Sequence, residues 1–261
     1  MRKKMFPALP ALRNFFAAAL ALSALFSARA AFAYDRSVLA EYNDLYKNGS
    51  YQAALEGYKE VTAKEPYNPY AFYNAGNAYF RLNKPGLAIL YYGKAFRLDP
   101  RDSDIRTNLD FAMKHTGQTL VPEGMPKALH YLYYFFSDLE LRAVAAVSWW
   151  LACLLLSFYA LKAGLRDKLR GALLASVLIF AGALLWLIAR SSSTFSNAAI
   201  ITAEGSAKLL SGPGETFKAY ATLPEARLVT ILDDTDDAYY EVGIPREGIK
   251  GWVRKNDAER I

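Results

Sequence analysis

His115 and His130 are the only imidazoles in the chain, and Cys153 is its only thiol. Neither histidine has a Cys, a second His or an Asp at metal-ligand spacing. No Gly-x-Ser-x-Gly, Walker A or Gly-x-Gly-x-x-Gly run occurs. Cys153 lies inside a long apolar run, which excludes a Cys/His hydrolase, and a small packing residue is the plainer reading of it. The acids of Asp233-Asp-Thr-Asp-Asp237 lack the spacing and distal Glu of an EF-hand, and a flexible loop is a poor place to tune carboxylates. A solvated hairpin loop accounts for them. These residues predict no enzyme, no metal and no cofactor. What the chain offers is recognition chemistry. Asn43, Asn74, Asn77 and Asn108 carry amides that both donate and accept, suited to an extended peptide backbone, with Arg106 close by in sequence. Tyr239 and Trp252 could form an aromatic ligand face. The competing readings are structural: asparagines used only for packing, and Trp252 in a core.

The elements that must position these groups are set by two apolar runs. Ala143–Leu161 and Gly171–Ala189 each contain 19 residues without Asp, Glu, Lys or Arg. An α-helix of that length crosses the roughly 30 Å hydrocarbon core of a bilayer. A buried hairpin in a soluble domain would show a polar back, and neither run does. The hinge Lys162–Arg170 holds four basic residues and one acid, which places it on the cytoplasmic side. Everything before and after the hairpin then lies on the opposite face.

The net charge of +6 reports this topology and not a nucleic-acid surface. Arg2, Lys3, Lys4, Arg13 and Arg29 supply most of it, the hinge supplies the rest, and the remainder of the chain is net acidic. Residues 1–33 read as a secretory signal, with a basic start, an apolar core from Phe15 to Phe26 and Ala31-Phe-Ala33 as a cleavage site. The short apolar core favours cleavage over an uncleaved anchor. A single Cys permits no intrachain disulfide.

Residues 35–68 and 69–102 repeat with a period of 34: Ala54, Tyr58 and Pro66 recur as Ala88, Tyr92 and Pro100. Gly76 and Ala88 lack bulk where two helices cross, while Tyr79 and Tyr92 fill the space beside them. The pattern resembles the tetratricopeptide repeat. In the first repeat Tyr42 stands where that family has Gly. Two repeats need cover, and residues 102–113 read as a capping helix with Ile105, Leu109 and Phe111 or Ala112 as its apolar edge, closing a repeat region over 34–117. The resemblance implies a concave surface lined by the first helix of each pair. Asn43 and Asn74 fall where some of these domains clamp a C-terminal carboxylate. The basic partners of that clamp are missing, since Leu39, Asp104 and Asn108 occupy their places. Residues 118–142 form a linker and an aromatic segment (Tyr131, Tyr133, Tyr134, Phe135, Phe136), read as lying at the outer membrane interface.

After a tether over 190–197, short strand-like runs appear at Ala198–Ala203, Ala207–Leu210, Arg227–Leu232, Tyr239–Gly243 and Gly251–Arg254, which predicts a small barrel. Ser211-Gly-Pro-Gly214, Tyr220-Ala-Thr-Leu223, Tyr239-Tyr240 and Gly251-Trp-Val253 resemble a bacterial SH3-like domain over 198–261. The expected fold class is therefore a multi-domain membrane protein: an α-helical tetratricopeptide solenoid, a transmembrane helical hairpin and a small all-β SH3-like barrel.

Signal, repeats, two spans and SH3-like module in this order resemble the BatE family of the Bat aerotolerance group. That resemblance implies a bacterial inner-membrane scaffold with both soluble parts periplasmic. It further implies partners among von Willebrand factor A-type membrane proteins and a MoxR-type ATPase, in stress tolerance or envelope maintenance. A wall-anchoring protein whose SH3-like domain binds peptidoglycan is the alternative.

Overall fold

The computed structural model describes residues 36–122, 124–191, 197–244 and 247–261. The expected signal peptide and residues 192–196 of the tether lie outside them. The chain divides into two units: the helices between Asp138 and Arg190, and the repeats through Ser137 together with the segment from Ser191 to Ile261.

In the second unit the repeats fold as α1 (Ala40–Lys47), α2 (Tyr51–Lys64), α3 (Pro69–Arg81) and α4 (Pro85–Leu98), followed by α5 (Ser103–His115). Local chemistry sets the boundaries. Asn68 Oδ1 accepts from the backbone N–H of Tyr70 and Ala71, with Pro69 in the first turn. Asp102 Oδ1 caps α5 in the same way, accepting from the N–H of Asp104 and Ile105 at 2.8 and 3.0 Å. Ala54, Ala71, Ala75, Ala88 and Ala95 are fully buried at the helix crossings, and Tyr58, Tyr92, Ile89 and Phe96 fill the space around them. On α5 the buried residues are Ile105, Leu109, Ala112 and Met113, while Phe111 is 58% exposed.

The first repeat keeps the pattern by exchange. Tyr42 occupies the place of Gly76, and Gly57 occupies the place of Tyr91. A Cβ on Gly57 would run into the Tyr42 ring, as a Cβ on Gly76 would meet the Tyr92 ring at 2.6 Å. Bulk has moved from α2 to α1, and the crossing still closes.

The C-terminal segment forms seven antiparallel strands: β1 (Ala198–Ile201), β2 (Ser206–Leu210), β3 (Ala219–Pro224), β4 (Leu228–Asp233), β5 (Tyr239–Ile244), β6 (Ile249–Arg254) and β7 (Ala258–Arg260). Their order is β3-β2-β6-β5-β4-β1-β7, with β3 and β7 as free edges. The sheet is thus open where the sequence predicts a barrel, and it adds β3 and β7 to the five predicted strands. β3 is mostly exposed and ends in Pro224, and β7 is three residues long, so neither carries the buried alternation that marks a strand.

The sheet docks on the repeats through β1, whose four residues are all buried. Successive side chains alternate sides of a strand. Ala199 and Ile201 enter the core of the sheet, while Ala198 and Ile200 enter the core of the repeats. On the repeat side Gly86 and Gly93 clear the way. A Cβ at Gly86 would lie 2.7 Å from the Ile201 carbonyl oxygen, and one at Gly93 would lie 2.9 Å from Ile261 Cγ2. Polar contacts fix the seam: Lys94 Nζ to Glu259 at 2.7 Å, Arg97 Nη1 donating to the Ile261 oxygen at 2.7 Å, and Gly86 N donating to Glu225 at 3.2 Å. Gln118 behaves like a strand residue. Its Nε2 donates to the Ala226 carbonyl, and its Oε1 accepts from Leu228 N at 2.8 Å. Ala226 is fully buried with φ +67°, a strained setting for a non-glycine residue that the Ile201 carbonyl holds through Ala226 N at 2.8 Å.

The short helix α6 (Lys127–Tyr133) also belongs to this unit. Tyr134 meets Phe96 with ring centroids 5.4 Å apart, Arg106 lies over the Tyr131 ring at 4.7 Å, and His130 is buried. Among the described residues His130 Nδ1 has no hydrogen-bond partner, and burial lowers the imidazole pKa below its ordinary 6.5. The unfolded chain therefore takes up the proton first, so this part of the stability is complete above about pH 6.5 and is lost as pH falls below it. Hydrogen-exchange protection at 127–134, taken relative to the intrinsic base-catalysed rate at each pH, is expected to fall between about pH 7.5 and about pH 5.5, and His130→Phe is expected to flatten that dependence.

In the first unit, α7 (Asp138–Leu161) and α8 (Arg166–Ser191) are both long and apolar enough to cross a membrane. Asp138 at the start of α7 pairs with Arg190 near the end of α8 at 3.0 Å, and Trp149 meets Phe180 with centroids 5.1 Å apart. The two helices are therefore antiparallel.

Candidate functional site

The four asparagines come together as two copies of one hydrogen-bonded unit. The Tyr58 hydroxyl donates to Asn43 Oδ1 at 2.8 Å, and Asn74 Nδ2 donates to the same oxygen at 2.9 Å. One period later the Tyr92 hydroxyl donates to Asn77 Oδ1 at 2.7 Å, and Asn108 Nδ2 donates to that oxygen at 2.9 Å. Asn108 Nδ2 also donates to the Tyr73 hydroxyl at 2.9 Å. Burial raises the pKa of both Tyr58 and Tyr92 above the ordinary tyrosine value, which keeps them as neutral donors. The ladder links α1 to α3 and α3 to α5, so it ties the first helices of successive pairs together.

The amides play two parts. Asn43 and Asn77 satisfy tyrosine hydroxyls of residues that are almost wholly buried, so they serve the fold. Asn108 spends its amide N–H groups on Asn77 and Tyr73, whereas Asn74 makes one bond, to Asn43, and is less committed. Among the described residues, no hydrogen bond uses Asn43 Nδ2 or Asn74 Oδ1. A donor and an acceptor thus stand side by side, as a peptide backbone requires. Asn43→Ala or Asn77→Ala leaves a buried hydroxyl unpaired and is expected to cost about 1–3 kcal/mol. Asn74→Ala leaves the Tyr58–Asn43 bond intact and is expected to cost less than about 1 kcal/mol. Thermal unfolding of the detergent-solubilised chain followed by circular dichroism checks the contrast.

Phe111 joins this face. It stands one period after Asn77, which itself stands one period after Asn43. Its ring meets Phe80 at 5.6 Å and stacks on His115 at 6.5 Å. The sequence signal for it was the same 34-residue register that relates the asparagines, continued one step further. Arg106 lies elsewhere, against Tyr131 of the segment after α5.

On the sheet, Tyr239 opposes Arg254 and Trp252 opposes Glu241 in the β5–β6 register, so both aromatics share the face turned away from the sheet's core. Tyr239 is buried and its hydroxyl donates to Glu215 at 3.3 Å, while Trp252 is half-buried. Phe217 and Tyr220 are the exposed aromatics of this module. Phe217 lies against Gly212, and the Tyr220 hydroxyl donates to the Lys250 carbonyl. The acids of the β4–β5 connection are used in the turn. Asp233 accepts from the N–H and hydroxyl of Thr235, which lowers its pKa below the ordinary carboxylate value. Asp236 accepts from the N–H of Ala238 and Tyr239.

A family model described as TPR repeat matches residues 43–83, from Asn43 in α1 to just beyond α3. No curated protein matches the chain. The helical repeat region is thus tetratricopeptide-like.

Proposed function

We propose that this chain is a non-catalytic, membrane-anchored scaffold that holds an extended segment of a partner protein on the asparagine face of its repeats. The observation that carries this reading is the asparagine ladder with its unspent amide donor and acceptor, flanked by exposed Phe111. Backbone recognition by amides together with an aromatic anchor suits an extended segment better than a globular surface. The basic stretch Lys162–Arg170, which joins α7 to α8 and includes the first turn of α8, supports a reading with a cytoplasmic turn and both folded parts on the opposite side of an inner membrane. The module order, which resembles the BatE family, supports partners that share that membrane, of the von Willebrand factor A type, working with a MoxR-type ATPase. Confinement to one plane raises the effective concentration of such partners.

Co-purification from native membranes tests the reading. Asn74→Ala combined with Phe111→Ala alters the exposed face without removing a partner from Tyr58 or Tyr92. The double variant is expected to recover about tenfold less partner, the equivalent of about 1.4 kcal/mol. Unchanged recovery sinks the groove as the binding site.

The exposed aromatics Phe217 and Tyr220 favour a second reading, an SH3-like module that binds peptidoglycan. Sedimentation of the whole chain with purified sacculi decides it. The isolated fragment 198–261 is unsuitable, because Ala198, Ile200 and Ile261 would lose the repeat core that covers them.

A further inference from the structure

The helix α6 is built with its apolar side outward. His130 and Tyr134 are turned inward, while Leu129 and Leu132 are 54% and 61% exposed and Phe135 is 46% exposed. Leu129 and Leu132 lie three apart on one face of the helix, and Phe135 follows in the bend just after it. A surface helix in water has the reverse arrangement. The helix α2 shows the ordinary case on the same body, exposing Gln52, Glu56 and Lys59.

We propose that this apolar patch is a lipid-binding surface seated in the headgroup layer of the leaflet that α7 enters. The inference rests on reading α7 and α8 as membrane spans, and it adds a second attachment, through the repeats themselves. Three observations select lipid as the occupant. Phe135 is only three residues before Asp138, the first residue of α7, so the chain between them reaches at most about 11 Å. Exposed Phe135 and half-buried Phe136 supply aromatic rings of the kind that settle at a membrane interface. Cations edge the patch, with exposed Lys127 at the start of α6 and the Arg101 guanidinium over the Phe135 ring at 5.5 Å, which complements anionic headgroups. The inward face of α6 holds the repeats and the outward face holds the membrane, so the helix acts as a two-sided strap.

Fluorescence quenching in the full chain tests this. The Cys153→Ser background is reconstituted into vesicles of phosphatidylethanolamine and phosphatidylglycerol. Single cysteines are placed by Leu132→Cys, by Glu56→Cys on α2 and by Leu178→Cys within α8, each labelled with an environment-sensitive dye. The label at 132 is expected to be quenched by lipid carrying a headgroup nitroxide and shielded from aqueous iodide by about threefold or more relative to the label at 56. Equal iodide quenching at 132 and 56, with 178 quenched by an acyl-chain nitroxide, overturns the strap and leaves the spans standing. Shielding at 132 without lipid quenching overturns it in favour of a protein contact. A label at 178 that no acyl-chain nitroxide reaches removes the spans and the strap together.

Discussion

Gly86→Gln together with Gly93→Lys is expected to lift the sheet off the repeats and destabilise this unit by about 2–5 kcal/mol. The replacements are the residues that the first repeat carries at the equivalent positions, Gln52 and Lys59, where both are exposed. In the second repeat those positions face the Ile201 carbonyl and the Ile261 side chain. A backbone carbonyl cannot rotate away as a side chain can, so the clash at Gly86 has to move β1. Once β1 moves, Ala198 and Ile200 lose their cover, and the bonds from Gly86 N, Lys94 and Arg97 go with it. Hydrogen exchange should accelerate at 198–201 and 258–261 while α1 to α3 stay protected. The matching changes Gln52→Ala and Lys59→Ala should stay within about 0.5 kcal/mol. A double variant with unchanged exchange at β1 would mean that the sheet does not depend on this seam.

Gly57→Ala is the second large effect, and its sign is the informative part. In an exposed helix interior this change gains roughly 0.5–1 kcal/mol. Here the added methyl meets the Tyr42 ring, which is itself held edge-on against Tyr58 with centroids 6.1 Å apart. Overpacking at a closed crossing costs about 1–3 kcal/mol, so the expected result is destabilisation. Tyr42→Ala on its own opens a cavity and also destabilises. Combined with Gly57→Ala it should recover part of the loss, because each change supplies what the other lacks. Thermal unfolding of the four proteins closes the cycle, and additive losses would show that the two residues do not share a space.

These two cases divide what was readable from what was not. The Tyr42/Gly57 exchange was visible in the sequence as Tyr42 at a glycine position, but its compensation sat on the next helix and became apparent only with the two helices crossed. The docking face was also present as letters. Gln52, Glu56, Lys59 and Thr62 of the first repeat become Gly86, Leu90, Gly93 and Phe96 in the second. An apolar face says that something covers it and not what does. The asparagines were found as candidates, yet the split between fold-serving Asn43 and Asn77 and less committed Asn74 depended on where two tyrosine hydroxyls point.

By itself the sequence determined the repeat period, the capped helix that follows the repeats, and the presence of two helices long and apolar enough to cross a bilayer. Each of these is a property of neighbours along the chain: the spacing of small and aromatic residues, a capping Asp102, an unbroken apolar run. Only the tertiary structure decided that the strands form an open sheet, that β1 is shared between two cores, and that Gln118 bonds Ala226 and Leu228 more than a hundred residues away. Those outcomes rest on complementarity between surfaces far apart in sequence. No local pattern encodes such a fit, because each half is compatible with many partners until the other half is in place.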